Sequence, residues 1–328
     1  MVLINEIGDY DEIKAALRGT LKAPPTWQIR PELRNRVISA FTVERSHRLE
    51  IERLVGEARE ENVRGILARV FLEEEIHQAM IGSLLKPTVV PWQHVVGSEL
   101  AFIALTGTLA QIEPDTRVGA VFDYLLIDHL TQVKALTEET KALGLDPAMV
   151  DEVARLPDGR DFKDQFHPTE DLIKTPYPAT ADPGTKVNVR LVTMADTLVG
   201  ELTAGLGVMG APESLAQLAR VIGTVEAGHH LMLRTLLNPE ESVLERAFQS
   251  ELAEVMGLNR LLSTEKESGA KEAYDFMVEE DEDHLRYLGA VLADVEGKDP
   301  IKLSDSNVFG AKPRRTLENY LAETVEAA

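Results

Sequence analysis

The sequence contains no cysteine. Disulfides, thiolate zinc sites, iron–sulfur clusters and cysteine nucleophiles are therefore excluded, and any metal must be held by nitrogen and oxygen donors. Basic residues are outnumbered, 34 Lys and Arg against 55 Asp and Glu, giving a formal charge of −21. A field of that sign repels nucleic acid and anionic lipid and attracts cations. No apolar run reaches the length of a membrane-spanning helix, and the N-terminus, MVLINEIGDYDEIKAALRG, lacks the apolar stretch of a secretion signal. These absences lead us to expect a cytoplasmic protein that binds neither nucleic acid nor membrane.

Strand-like alternation is scarce as well, and the helical period runs through nearly the whole chain. At 328 residues, 44% of them apolar, there is material for two domains. Residues 1–30 read as an arm with a short amphipathic helix, Tyr10 to Leu21, stopped by Pro24 and Pro25. Four long helices are predicted over about 31–59, 61–86, 91–112 and 115–143. Residues 144–186, rich in proline, read as a linker or long crossover. Four more helices follow over about 187–209, 212–237, 240–264 and 268–296, and then a tail, 297–328, ending in a short acidic helix.

The two sets of four are related. A shift of 152 lays Met80-Ile-Gly-Ser-Leu-Leu-Lys-Pro87 on Met232-Leu-Arg-Thr-Leu-Leu-Asn-Pro239, and Ser98-Glu-Leu-Ala101 on Ser250-Glu-Leu-Ala253. Asp128-His129-Leu130 matches Asp283-His284-Leu285 at a shift of 155. The simplest architecture is all-α, with two tandem four-helix bundles occupying 31–143 and 187–296.

Within this repeat, carboxylates and histidines fall on apolar faces. Ile66, Val70, Glu74, His77, Ile81 and Leu84 share one face of the second helix, as do Val221, Ile222, Glu226, His229, Met232 and Leu236 in its counterpart. Glu44 lies on the stripe of Val37, Phe41, Ile51 and Val55, and the repeat puts Asp196 in its place. Glu99 lies with Val95, Phe102 and Thr106, and the repeat puts Glu251 there. His129 and His284 stand in apolar series on the fourth helices. Several ionisable groups in one apolar core carry a large desolvation cost, which a bound divalent cation offsets.

This arrangement resembles the ferritin-like di-iron and di-manganese carboxylate superfamily: a carboxylate from helix one, Glu-x-x-His from helix two, a carboxylate from helix three and Glu-x-x-His from helix four. By position, the resemblance implies one metal-ligand set of Glu44, Glu74, His77, Glu99 and His129. The other would be Asp196, Glu226, His229, Glu251, Asp281 and His284. The fourth helix departs from the pattern: Leu126 stands three places before His129, and Asp281 before His284. Asp128 and Asp283 are alternative ligands or hydrogen-bond partners of a histidine. The family implies one or two dinuclear iron or manganese centres and an oxygenase or oxidase using dioxygen or peroxide on a small organic substrate. Manganese-catalase-like peroxide disproportionation and non-catalytic metal storage are the alternatives, and a homodimer is among the admissible assemblies.

Other features read more blandly. Glu73, Glu75 and the run Glu279–Asp283 suit a solvated face, although Asp281 lies one turn from His284. His47, beside two arginines, reads as a surface histidine, and His230 as a neighbour of the second set. His94 and His167 fall near a helix end and in the linker, while Tyr124 and Tyr274 suit core packing better than a redox role. The string Gly205-Leu-Gly207-Val-Met-Gly210 follows a helix and not a strand, so it reads as a helix end and not a dinucleotide loop.

Overall fold

The computed structural model describes residues 31–84, 91–145, 150–166, 169–208, 211–306 and 311–327. The expected helix Tyr10 to Leu21 and His167 lie outside them. The protein is all-α, with no strand among the described residues. Among the described residues there are eight long helices, α1 (Pro31–Glu57), α2 (Glu61–Leu84), α3 (Pro91–Leu109), α4 (Thr116–Ala142), α5 (Pro183–Leu206), α6 (Glu213–Leu236), α7 (Val243–Thr264) and α8 (Ser268–Glu296). Local chemistry fixes several of their ends. Asp115 caps α4 by accepting from the Arg117 N–H, and Asp182 caps α5 ahead of Pro183. Ser242 and Glu245 form a reciprocal capping box at the start of α7, and Gly297, at φ 65°, ends α8 in the left-handed region. Among the described residues no helix is long and apolar enough to cross a membrane.

The helices sort into two compact units, and the division is not the contiguous one expected from the repeat. One unit takes the described residues up to 84 together with 241–304; the other takes 91–240 and the described residues from 305 onward. In the first unit α1 packs on α2 and α7, and α8 packs on α7 and α2. In the second, α3 packs on α4 and α5, and α6 packs on α5 and α4. Each unit thus combines the first two helices of one repeat with the last two of the other. The expected bundles 31–143 and 187–296 are replaced by this exchange.

Connection length gives the physical reason. The first unit has two apolar layers. One joins Val37 and Ala40, early in α1, to Met80 and Ile81, late in α2, with Leu258 late in α7 and Tyr274 and Met277 early in α8. The other joins Ile51 and Leu54 to Ile66 and Leu67, Leu244 and Phe248, and Leu288 and Leu292. Hence α1 and α8 run one way, and α2 and α7 the other. With α2 and its third-helix partner parallel, a direct link would have to return along the whole of α2, about 36 Å. The six residues 85–90 reach at most about 25 Å when fully extended. That link cannot deliver α3 into the place that α7 fills.

The second unit contains the long connection between α4 and α5, as well as the C-terminal helix Leu317–Ala327. That helix packs on α3 and α4, with Leu321 buried and the Tyr320 hydroxyl donating to Asp123. Gly107 admits it: a Cβ there would come 2.6 Å from Leu317.

Candidate metal centre

In the first unit every long helix contributes a buried pair of ionisable groups three residues apart. The pairs are Glu44 and His47 on α1, Glu74 and His77 on α2, Glu251 and Glu254 on α7, and Asp281 and His284 on α8. Three-residue spacing stacks the two members of each pair on one helix face. All eight lie between the two apolar layers. Their donor atoms converge: Glu74, Glu251, Asp281 and His284 lie within 4.8 Å of one another, as do Glu44, Glu74 and His77, and likewise His47, Glu74, Glu251 and Glu254.

Glu74 is the common member of these groups. One of its oxygens is 3.3 Å from His284 Nδ1 and 4.0 Å from His47 Nε2, and the other is 3.5 Å from His77 Nδ1. His77 Nδ1 also stands 3.3 Å from Asp281 and 3.7 Å from Glu44. His47 Nε2 faces Glu251 at 3.0 Å and Glu254 at 3.2 Å. No well-directed hydrogen bond reaches either carboxylate oxygen of Glu44, Glu74, Glu254 or Asp281. Buried carboxylate oxygens without donors are costly. Five carboxylates against three imidazoles form a donor set that fits divalent cations, which would satisfy those oxygens and offset their charge.

The electrostatics of the cluster express the same cost of burial. Burial, with repulsion from Glu74 and Asp281, pushes the Glu44 carboxyl well above its usual range. Burial and the surrounding acids do the same to Glu254, and burial holds Asp281 at about 7. Burial opposes the charged imidazole of His77, yet Glu74, with Asp281 and Glu280, raises it well above its usual value. Burial likewise opposes ionisation of Glu74, but His77 and the other imidazoles hold it well below.

Both terminal histidines turn Nδ1 inward and Nε2 outward onto a further carboxylate. His77 Nε2 pairs with Glu280 at 2.7 Å, and His284 Nε2 pairs with Glu73 at 2.7 Å. Glu280 precedes Asp281, as Glu73 precedes Glu74, so each helix backs the histidine of the other. A carboxylate behind an imidazole fixes its tautomer and orientation. Glu73→Gln and Glu280→Gln should each weaken metal binding roughly 10- to 100-fold, read by competition with a chelator. Unchanged affinity in both would remove this role.

A cavity of about 470 Å³ opens beside these outer carboxylates, lined by Val70, Glu73, Glu280, His284 and Tyr287 with Arg69 and Arg286 at its sides. Glu75 is exposed and pairs with Arg48, as a solvated residue should. Glu73 and Glu280 are not simply solvated. His47 is fully buried in the cluster and not on the surface, because Glu251 and Glu254 receive it from α7. The three-residue spacing from Glu44 to His47 and from Glu251 to Glu254 was the available signal for both added members.

The second unit gathers Glu99, His129, Asp196, Glu226 and His229, all buried. Thus Glu99 and His129 do not join Glu44, Glu74 and His77 as the resemblance implied, nor do Glu251, Asp281 and His284 join Asp196, Glu226 and His229. The exchange of helix pairs separates both sets. Asp281 completes the first unit's pattern, and Leu126 falls in the second unit. Val221 lies outside the buried face, 41% exposed, while Ile222 is buried. Tyr274 is fully buried among Val37, Met80 and Leu258, consistent with packing. His230 is partly exposed beside Thr197 and Asp196, Asp283 is exposed beside Arg286, and His94 is half-buried. The glycine string ends α5 without any preceding strand, with Gly207 as its C-cap.

No protein-family model matches the chain, and no curated protein or solved structure matches it.

Proposed function

We propose that the protein is a ferritin-like non-haem di-metal oxidoreductase whose centre is the buried cluster of the first unit. Glu44, Glu74, His77, Glu251, Asp281 and His284 would hold two iron or manganese ions. The observation that carries this reading is the donor set on four helices: one carboxylate, Glu-x-x-His, one carboxylate and Asp-x-x-His, with buried oxygens that no protein donor satisfies. A pair of such ions supplies redox equivalents and open positions for dioxygen or peroxide.

The chain's own residues would do the rest. The two apolar layers exclude water from both ends of the cluster. Glu280 and Glu73 keep the Nδ1 atoms of His77 and His284 turned inward. Both carboxylates also line the cavity, where each can exchange a proton with solvent at an oxygen already bonded to an imidazole Nε2. Val70 and Tyr287 offer an apolar wall to an organic substrate, and Arg69 and Arg286 offer charge at its sides.

A peroxide-disproportionating centre fits best where the fourth helix supplies a lone histidine without a carboxylate. Asp281 stands in the same cluster as Glu74 and His77, which favours oxygen activation on an organic substrate. Protein purified without added metal should contain iron or manganese and consume dioxygen when supplied with a reductant. A chain that stays metal-free on anaerobic reconstitution with Fe²⁺ and Mn²⁺ would sink the proposal. Rapid peroxide consumption without organic substrate would replace it by the catalase-like reading, and metal uptake without turnover by storage.

A further inference from the structure

The repeat makes the second unit look like a copy of the first, but its cluster is built differently. Among the described residues it has one convergent donor group: His129, Asp196, Glu226 and His229, with ligand atoms within 4.8 Å of one another. The first unit has four overlapping groups that share Glu44, Glu74, Glu251, Glu254 and Asp281 among them. The difference lies at three positions. Where the first unit has Asp281, His47 and Glu254, the second has Leu126, Val199 and Phe102, all buried. The Phe102 ring packs 4.0 Å from the His129 ring, centroid to centroid. Three donors have become hydrocarbon.

The remaining acids take another part. Glu99, at the place of Glu251, bonds His129 Nδ1 at 2.5 Å and is absent from the convergent group. His129 Nε2 is thereby turned toward Glu226, 3.6 Å away. Asp128 bonds His229 Nε2 at 3.0 Å, which turns His229 Nδ1 toward the other Glu226 oxygen at 3.2 Å. Asp128 is itself held by Arg160 at 2.8 Å. The Arg160 guanidinium lies 4.2 Å over the Tyr124 ring, and that ring stands edge-on to His229. Each histidine therefore has a carboxylate behind it and one nitrogen presented forward, the tautomer and orientation that a metal ligand needs.

The forward atoms are the ones left without partners. Both oxygens of Asp196, both of Glu226, His129 Nε2 and His229 Nδ1 are buried and receive no well-directed hydrogen bond. Four forward donors complete the coordination of one divalent ion, and among the described residues this unit offers no second convergent group to hold another.

We propose that the second unit is a mononuclear site, binding one divalent first-row cation through His129 Nε2, His229 Nδ1, Asp196 and Glu226, with Glu99 and Asp128 as positioning residues behind the imidazoles. Two imidazoles and two carboxylates suit Zn²⁺, Fe²⁺ or Mn²⁺. The inference goes beyond the dinuclear centre of the first unit and does not depend on it.

The test counts metal on the full chain. Metal-free protein is loaded with Mn²⁺ or Zn²⁺, freed of excess and analysed by mass spectrometry of the element, with Glu226→Ala/His229→Ala compared against the parent. The expected result is the loss of one equivalent per chain, whatever the first unit holds. Loss of two equivalents, or of none, overturns the proposal. If that variant does not fold, anomalous scattering from crystals of the parent protein decides: one peak among these four side chains supports the site, and two peaks or no peak overturn it. Asp128→Asn supplies a readout of positioning, because it keeps the size of the side chain and removes the charge behind His229. It should retain the single equivalent while weakening it roughly 10- to 100-fold in chelator competition. Unchanged affinity would sink the positioning role.

Discussion

Turnover should fall by roughly a thousandfold or more when Glu74 and His77 are both replaced by alanine, because the pair removes the member common to three of the first unit's four donor groups. Glu74 is the one carboxylate within 4.0 Å of all three imidazoles of that cluster. Without it, the two groups that join α2 to α7 lose their common carboxylate, and only Glu44, Glu254 and Asp281 remain as an intact convergent group. Helicity by circular dichroism should stay close to that of the parent, since both replacements fall on a layer flanked above and below by intact aliphatic packing. Glu74→Asp, which keeps the charge but shortens the reach, should fall between the two. Turnover within tenfold of the parent in the double variant would place the chemistry elsewhere.

Removing metal should make stability fall steeply with pH. Asp281 is held at about 7 by burial, against an ordinary 3.8. A carboxyl raised in this way favours the folded state below its unfolded pKa, and that contribution is lost as pH climbs to the folded value. His229 acts in the same direction. Burial opposes its charged form, yet Glu226 and Asp128 raise it to about 10, so its contribution fades above its ordinary 6.5. Glu74, Glu226 and Glu251 are shifted down, and their contributions vanish only in acid, so they leave the range from pH 5 to 8 flat. Between pH 5 and 7 Asp281 alone accounts for a loss on the order of 3 kcal/mol. The metal-free Tm should therefore drop by roughly 10 °C between pH 5 and 8 in scanning calorimetry. The loaded protein should show little change over that range, since the cation takes the place of the proton. A flat metal-free profile would mean that the cluster relaxes or hydrates once emptied.

Much of this was legible in the residues. All eight long helices appear within a few residues of their expected spans, because their periodicity is strong and prolines or caps punctuate them. Every expected ligand from Glu44 to His284 is buried, although Val221, expected on the same face as Glu226, is exposed. What misled was assembly. A repeat in sequence suggests a repeat in space, yet helix pattern says nothing about which helices share a core. The decisive clue was the six-residue spacing between Leu84 and Pro91, too short for a return along α2, and a reading by similarity alone passes over it. His47 was misread for a related reason: the carboxylates that surround it come from α7, some two hundred residues away. Glu73 and Glu280 read as solvated acids in the sequence because their partners lie on each other's helices. Long-range pairing of this kind leaves no local trace.

The exchange of helix pairs also dictates an order of folding. During synthesis α1 and α2 emerge first, but the helices that complete their core are about 160 residues further along. The four-helix core of the second unit, nearly continuous from 91 to 240, can close much earlier, before the C-terminal helix Leu317–Ala327 docks on it. Until α7 and α8 arrive, the carboxylates of Glu44 and Glu74 have neither the opposing imidazole of His284 nor a finished cage. Of the eight helices, the pair made first is thus the last to be stabilised, and termination before α7 leaves it as a lone hairpin with an apolar, acid-bearing face. Long-range closure of that kind folds slowly, and a chain cut short in α7 should be cleared by proteolysis from its N-terminal end while the second unit survives.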